Sequence, residues 1–273
     1  MLKQRKSVVG LDIGTASIKA VELTQDKYDH VITGYSQIDV PSESARQDAI
    51  AELFRIGKFR TKRVASAVSG KNVIFRYINM VDLPEDKVVN AVRFEADKYI
   101  PFDVNDVEID AQKLLTVEAE AEKAEMKVLL VAAKKSIVED QARMLIELGL
   151  QPVGLGVDSF ALGNAYELNE LVSPGIQEDD RTVALVDIGA SKSCINILRN
   201  GITYFAREVP MGGLDLTNAI TRRFGFEQNQ AEALKRDPAD QQAEVQEACG
   251  QVLDDLGNEI NLSFDFFENQ FDG

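Results

Sequence analysis

Apolar and polar residues alternate along Ser7 to Ile13, Ser17 to Thr24 and Val31 to Val40, the period of two that sends successive side chains to opposite faces of a strand. Polar turns at Gly14-Thr15-Ala16 and across Asp26 to Asp29 separate the runs, so the chain is predicted to open with an antiparallel meander. Pro41 closes it, Ser42 offers an N-cap, and Ala45, Ala49, Leu53 and Ile56 recur at helical spacing up to Gly57. Two further runs, Val64 to Val68 and Val73 to Met80, complete a first lobe over residues 1–83, read as a mixed sheet with a crossover helix.

The period then changes. Leu83-Pro84-Glu85-Asp86 starts a helix with Val88, Val89, Val92 and Phe94 on its apolar side, ending near Tyr99-Ile100-Pro101-Phe102. Val104 to Val117 and Met126 to Ala133 are strand candidates on either side of the charged turn EAEAEKAE, and Ile137, Ala142, Leu145, Ile146 and Leu148 mark a helix stopped by Gly149. Residues 84–150 are therefore predicted to be a subdomain inserted into the first lobe. The chain returns to that lobe over 151–177, with a strand at Pro152 to Val157 and a helix at Ser159 to Leu171, and Ser173-Pro174-Gly175 reads as the linker to a second lobe.

That second lobe, 178–273, repeats the opening pattern with strands at Val183 to Asp187, Ser193 to Leu198 and Ile202 to Val209. SVVGLDIGTASIKAVEL and RTVALVDIGASKSCINILRN carry Asp12-Ile13-Gly14 and Asp187-Ile188-Gly189 at matching places, each at the tip of a strand-turn-strand unit. Helices follow through Leu216, Ile220 and Phe224 and over Glu227 to Arg236. A long one opens at Pro238, with Val245, Cys249, Val252, Leu256, Ile260, Ser263 and Phe267 on a face predicted to be buried. A repeat this widely spaced is no solenoid period. It suggests two lobes across a cleft, with the Asp12 and Asp187 carboxylates turned toward it.

At 273 residues and 45% hydrophobic content the chain can bury a large core. Forty-five acidic against 30 basic residues, a net charge of −15, argues against nucleic acid as a partner. Cys194 and Cys249 are too far apart in sequence to indicate a zinc site or a disulfide framework, which points to a reducing compartment. No apolar run approaches the ~20 residues of a membrane span, so a cytoplasmic location is expected.

A glycine directly after a strand-end aspartate permits a tight turn whose N–H groups can approach a phosphate, while the carboxylate holds Mg²⁺ through water. Asp12 and Asp187 are the candidate metal residues. Thr15, Ser17 and Lys19 add hydroxyls and a cation to the first tip, as Ser191 and Lys192 do to the second. An alternative stays open, since such turns also close hairpins without a ligand and the lysines also suit solvated strand positions. Gly212-Gly213, opening a helix, is expected to present free N–H groups to an anion, or else only to permit a sharp turn. Glu232 and Lys235, three apart on one helical face, suit contact with a nucleoside or equally a surface ion pair. The single histidine, His30, is assigned no function.

The order VVGLDIGTASIKAVEL, ALVDIGASKSCINIL, MGGLDLT and AEALKRD resembles the actin-like ATPase superfamily. With LPEDKVVNAVRFEADKYIPF and the ending DLGNEINLSFDFFENQ, the chain is similar to the PilM family of type IV pilus assembly proteins, itself similar to the cell-division protein FtsA. The resemblance implies an α/β, actin-like (ribonuclease H-like) two-lobed fold with an FtsA-type inserted subdomain, shortened at its C-terminus. It also implies ATP with Mg²⁺ in the cleft and a cytoplasmic platform, peripheral to the inner membrane, for the N-terminal cytoplasmic tail of PilN. A homo-oligomer is compatible with it. By matching position, Asp12, Gly14, Thr15, Ser17 and Lys19 would meet phosphate and metal from one side, and Asp187, Gly189, Ala190, Ser191, Gly212 and Gly213 from the other, with Glu232 and Lys235 near the nucleoside. Tyr99, Ile100 and Phe102 of the inserted unit are the expected apolar wall for the PilN tail. The family's Gly-rich adenosine loop has no counterpart after Phe271, so weak ATP binding and slow turnover are expected. The competing reading is a metabolic kinase of the same superfamily, against which stands the absence of an obvious catalytic base after either hairpin. A third, an Hsp70-like chaperone, would need a substrate-binding domain.

Overall fold

A computed structural model of the chain describes residues 6–25, 30–40, 42–70, 73–117, 125–172 and 181–271. The turn expected at Asp26 to Asp29, Pro41 as a strand terminator, most of the charged turn (118–124) and the Ser173-Pro174-Gly175 linker lie outside the described residues. The chain divides into two compact units.

The first unit comprises Met1–Ile13, Lys19–Ile38 and Ser44–Asp158. Its five-stranded sheet contains β1 (Lys6–Ile13), β2 (Ser17–Gln25), β3 (His30–Asp39), β4 (Arg63–Val68) and, from much later in the chain, β8 (Gln151–Val157). The order is β3-β2-β1-β4-β8, with β4 parallel to both β1 and β8. The alternation in β2 buries Ile18 and Ala20 but also Glu22 and Thr24. A carboxylate 1% exposed must be fully bonded to be tolerated there. Glu22 accepts the backbone N–H groups of Arg60 and Thr61 at 2.7 and 3.2 Å and the Thr33 hydroxyl at 2.8 Å, while Thr33 and Ser7 both bond the Thr24 hydroxyl. This fixes the connection that leads from α1 (Arg46–Gly57) into β4. The buried face of α1 runs through Ala49, Ile50, Leu53 and Phe54, so that Ile56, expected on that face, is exposed.

The strand at Val73 to Met80, expected in the first sheet, is not there. As β5 (Val73–Val81) it pairs antiparallel with β7 (Glu125–Lys134), which also pairs with β6 (Val107–Val117), giving a separate sheet of order β5-β7-β6. β4, the strand before it, is hydrogen-bonded along both edges, by β1 and β8, so β5 has no place beside it. The helix α2 (Glu85–Glu95) covers this sheet with Val88 and Val92, followed by Ala96 and Ile100, over Met126, Val128, Leu130 and Ala132. Phe94, expected on the same side, is 88% exposed, because two residues beyond Val92 is more than half a turn around the helix. From β7 the chain enters α3 (Lys135–Glu147), where Gln141 donates to Ser66 Oγ and Ala67 O of β4 at 3.1 and 2.9 Å. It is the crossover that delivers β8 parallel to β4.

The second unit comprises Gly14–Ile18, Asp39–Glu43 and Ser159–Gly273. Here β9 (Thr182–Ile188), β10 (Ser193–Arg199) and β11 (Ile202–Val209) form an antiparallel sheet of order β11-β10-β9. The central strand is buried at six consecutive positions, and the side-chain amide of its Asn196 donates to Ser159 O at 2.8 Å, at the start of α4 (Asp158–Val172). After β11 come α5 (Gly213–Phe224), α6 (Gln228–Arg236) and the 30-residue α7 (Gln242–Phe271). The face of α7 predicted from spacing is the buried one: Val245, Cys249, Leu256, Ser263 and Phe267 are all buried. Phe267 packs with Ile195, Ile197 and Val209 of the sheet, and Val245 and Cys249 with Ile220 and Ala231 of the preceding helices. Among the described residues no helix is long and apolar enough to cross a membrane.

Replacing Glu22 by alanine leaves two partly buried backbone donors without their acceptor. Urea denaturation should show a loss of about 3 kcal/mol with the slope unchanged. A loss within the error of the extrapolation would mean that the α1 to β4 connection is held by something else.

Candidate functional site

The two Asp-Ile-Gly tips have the same local geometry. A Cβ on Gly14 would lie 2.6 Å from Ser17 O, and one on Gly189 would lie 2.9 Å from Lys192 O, so each glycine sits under the carbonyl three residues on with no room for a side chain. In the second tip that closeness is a hydrogen bond, Gly189 N to Lys192 O at 2.9 Å. Residues 14–18 group with the second unit, and Thr15 Oγ1 stands 2.7 Å from Ser191 Oγ, joining the two turns. Within the first unit Lys19 Nζ lies 3.6 Å from an Asp12 carboxylate oxygen, an exposed pair of little energetic consequence. Lys192, offered by the sequence as a second cation, is bound to Glu208 at 2.6 Å. Asp187, the last residue but one of β9, stands opposite Cys194 and is itself exposed, while Val183 and Leu185 on the same side of the strand are half-buried.

The expectation of free N–H groups at Gly212-Gly213 does not hold. Gly213 N donates to Gly189 O and Leu214 N to Ala190 O, both at 2.8 Å, while Gly212 N is taken by the Asp215 carboxylate at 2.8 Å. The first turn of α5 is thus spent on fixing the Gly189 turn. The fit is close enough that a Cβ on Gly212 would meet Gly189 O at 2.5 Å and Ala190 O at 2.7 Å. Gly212 is therefore required by backbone approach, whereas a Cβ on Gly213 would meet the Lys235 amine at 3.3 Å and Gly189 O at 3.6 Å; the N–H groups of Gly213 and Leu214 act on the tip by holding its carbonyls.

Glu232 and Lys235 do form an ion pair, at 2.6 Å, but one embedded in a larger network. Lys235 Nζ also donates to Gly213 O and to Thr217 Oγ1, each at 2.9 Å, and Glu232 Oε2 lies 2.6 Å from the same Thr217 oxygen. Arg236 Nε donates to the other Glu232 oxygen at 2.9 Å. Burial works against the Glu232 charge, but hydrogen bonds from Lys235, Thr217 and Arg236 outweigh it and hold the carboxyl below the usual range. Thr217 is fully buried, and the sequence reading missed it. Its signal was present: it lies one helical turn after Gly213, on the side where α6 packs. Turn, α5 and α6 consequently form one continuous hydrogen-bonded assembly running from Ala190 to Lys235.

In the inserted sheet Ile100 is 6% exposed and belongs to the core, so it is not part of an apolar wall open to a peptide. Its backbone N–H bonds Ala96 O, which draws the residue under the helix end. Tyr99 and Phe102 are half-buried against the same core, with Lys134 Nζ 4.8 Å from the Phe102 ring center. Among the described residues of this unit the most exposed large apolar side chain is Phe94, which helical phase alone would have identified.

A family model described as type IV pilus assembly protein PilM matches residues 10–271. Cell division protein FtsA of Bacillus subtilis (strain 168) is 22% identical over 271 residues, 84% of this chain and 57% of that protein, so the chain spans little more than half the length of this curated relative. Among solved structures, the PilM-PilN type IV pilus biogenesis complex is similar with a TM-score of 0.82 and 28% identity, over 97% of this chain and 78% of that one. MreB 5 of Spiroplasma citri bound to AMPPNP is similar with a TM-score of 0.50 and 11% identity, over 95% of this chain and 79% of that one, a likeness of fold alone. The fold is that of the actin-like ATPases.

Two outcomes follow from this geometry. Gly212→Ala drives a side chain into two backbone carbonyls and should destabilize the second unit by about 3 kcal/mol in a denaturation series, with wild-type stability being the contrary result. The Glu232 carboxyl has a lower pKa folded than unfolded, so its stabilization is present above the ordinary carboxylate range and lost as pH falls through the lower folded value. Acid titration should therefore cost the wild type more stability than Glu232→Gln, and parallel curves would rule the network out as the cause.

Proposed function

Because the chain belongs to the PilM family of type IV pilus assembly proteins, we propose that it is a cytoplasmic scaffold of pilus biogenesis that holds ATP with Mg²⁺ at its Asp-Ile-Gly hairpins and the N-terminal tail of PilN at its inserted sheet. The observation that carries the nucleotide half is the pair of turns at Gly14 and Gly189, each too tight for any side chain, with hydroxyls 2.7 Å apart between them. Turns of this kind suit polyphosphate, and a donor set of carboxylate and hydroxyl oxygens suits a hydrated Mg²⁺. Asp12, Gly14, Thr15, Ser17 and Lys19 would serve one side, and Asp187, Gly189, Ala190 and Ser191 the other. Gly212 and Gly213 would contribute by fixing the second turn, and Glu232 and Lys235 by offering a pre-formed polar surface to the nucleoside. Mg²⁺ would supply charge neutralization of the phosphates.

For the partner, support comes from the likeness to a PilM-PilN complex and from the outer edge of the inserted sheet. Among the described residues β6, the strand along which α2 packs, is paired on one side only, and an extended peptide can add main-chain hydrogen bonds there. Tyr99 and Phe102 remain the proposed apolar contacts, joined by Phe94. Association with the inner membrane would come through PilN.

Two titrations test the two halves separately. A fluorescent ATP analog with Mg²⁺ should bind the wild type and bind Asp187→Ala about tenfold more weakly. A synthetic PilN-tail peptide should bind the wild type and lose affinity for a Phe94→Ala, Phe102→Ala double variant. Equal analog affinity for Asp187→Ala, or undiminished peptide binding by the double variant, would overturn the corresponding half.

A further inference from the structure

The hydroxyls of Thr15 and Ser191 face a conflict of donors. Each carries one proton, and in the 2.7 Å contact one of the two protons is used by the other hydroxyl. Phosphate oxygens only accept, so both hydroxyls cannot donate to a phosphate while they remain bonded to each other. The backbone of both turns is tied: Gly189 and Ala190 carbonyls are held by α5, Gly189 N by Lys192 O, and Ala16 O of the first turn accepts from Val40 N at 2.8 Å. What is left to move is the two side chains, both exposed and each able to rotate about a single bond.

We propose that Thr15 and Ser191 form a latch between the two turns, closed without ligand and opened by rotation of the hydroxyls onto an incoming phosphate. The inference rests on the nucleotide reading above for what opens the latch, but not for its existence. The closed latch couples the two turns, so that loosening either one loosens both. Opening it is a step in association, because the bond must break before the second hydroxyl can donate.

The test uses Thr15→Val, Ser191→Ala, the double variant, and Thr15→Ser, which keeps the hydroxyl. Without nucleotide, amide hydrogen exchange at residues 14–18 and 189–192 should rise roughly threefold in both turns for either single variant. The double variant should exchange no faster than the singles, and Thr15→Ser should behave as wild type. Exchange that is unchanged, confined to the substituted turn, or additive in the double variant would overturn the latch. In stopped-flow mixing with a fluorescent ATP analog and Mg²⁺, Ser191→Ala should associate roughly threefold faster, whatever its dissociation rate. Slower or equal association would overturn the claim that a phosphate must open it. Failure of every form, wild type included, to bind the analog would overturn both the nucleotide reading and the opening step, leaving the latch itself to be decided by exchange.

Discussion

Everything placed around the second hairpin depends on how closely the start of α5 approaches the turn at Gly189. A side chain on Gly212 would begin 2.5 Å from one carbonyl oxygen and 2.7 Å from another, so the contact exists only because that position has none. From it follow the two 2.8 Å bonds into the turn, the orientation of α5, and the position of Gly213 O, which receives Lys235. Lys235 in turn holds Glu232 and Thr217. A tip that looks like a surface loop is thereby tied through two of its carbonyls to the helix behind it. Pre-organization of this kind is what a phosphate site needs, since ordering a loose loop would subtract from binding.

The first unit uses a different device for a similar end. Glu22 buries a carboxylate in the apolar face of β2 and satisfies it with two main-chain donors from the α1 to β4 connection and a hydroxyl from β3. Such a group stabilizes only in the presence of all its partners, so it specifies one path for that connection. β4 occupies the center of the sheet's parallel half, and β5 forms a separate sheet with β7 and β6.

Local signals in the sequence proved sound where the structure is local. The two Asp-Ile-Gly turns, the strands on either side of them and the buried face of α7 could be read from alternation, glycine placement and helical spacing. What could not be read is pairing across the chain. Nothing in Val73 to Met80 says that β4 has no free edge, and nothing in Gly212-Gly213 says that the N–H groups of Gly213 and Leu214 meet the carbonyls of a turn over twenty residues earlier. Ile100 and Phe94 exchanged roles for a geometric reason, since the helix phase turns Phe94 outward while the bend after Ala96 draws Ile100 in. The Glu232 to Lys235 pair was visible as a spacing, but its connection to Thr217 and Gly213 depends on how two helices pack.

The central claim is that the two duplicated turns together receive a nucleotide's phosphates. Amide NMR shifts of the isotopically labeled chain, recorded with and without Mg²⁺ and ATP, test it most directly. The account predicts the largest shifts at Gly14 to Ser17 and Gly189 to Lys192, with smaller ones reaching Gly213 and Lys235 through the carbonyls they share. Shifts concentrated in the inserted sheet or along β3, with both turns unmoved, would contradict it.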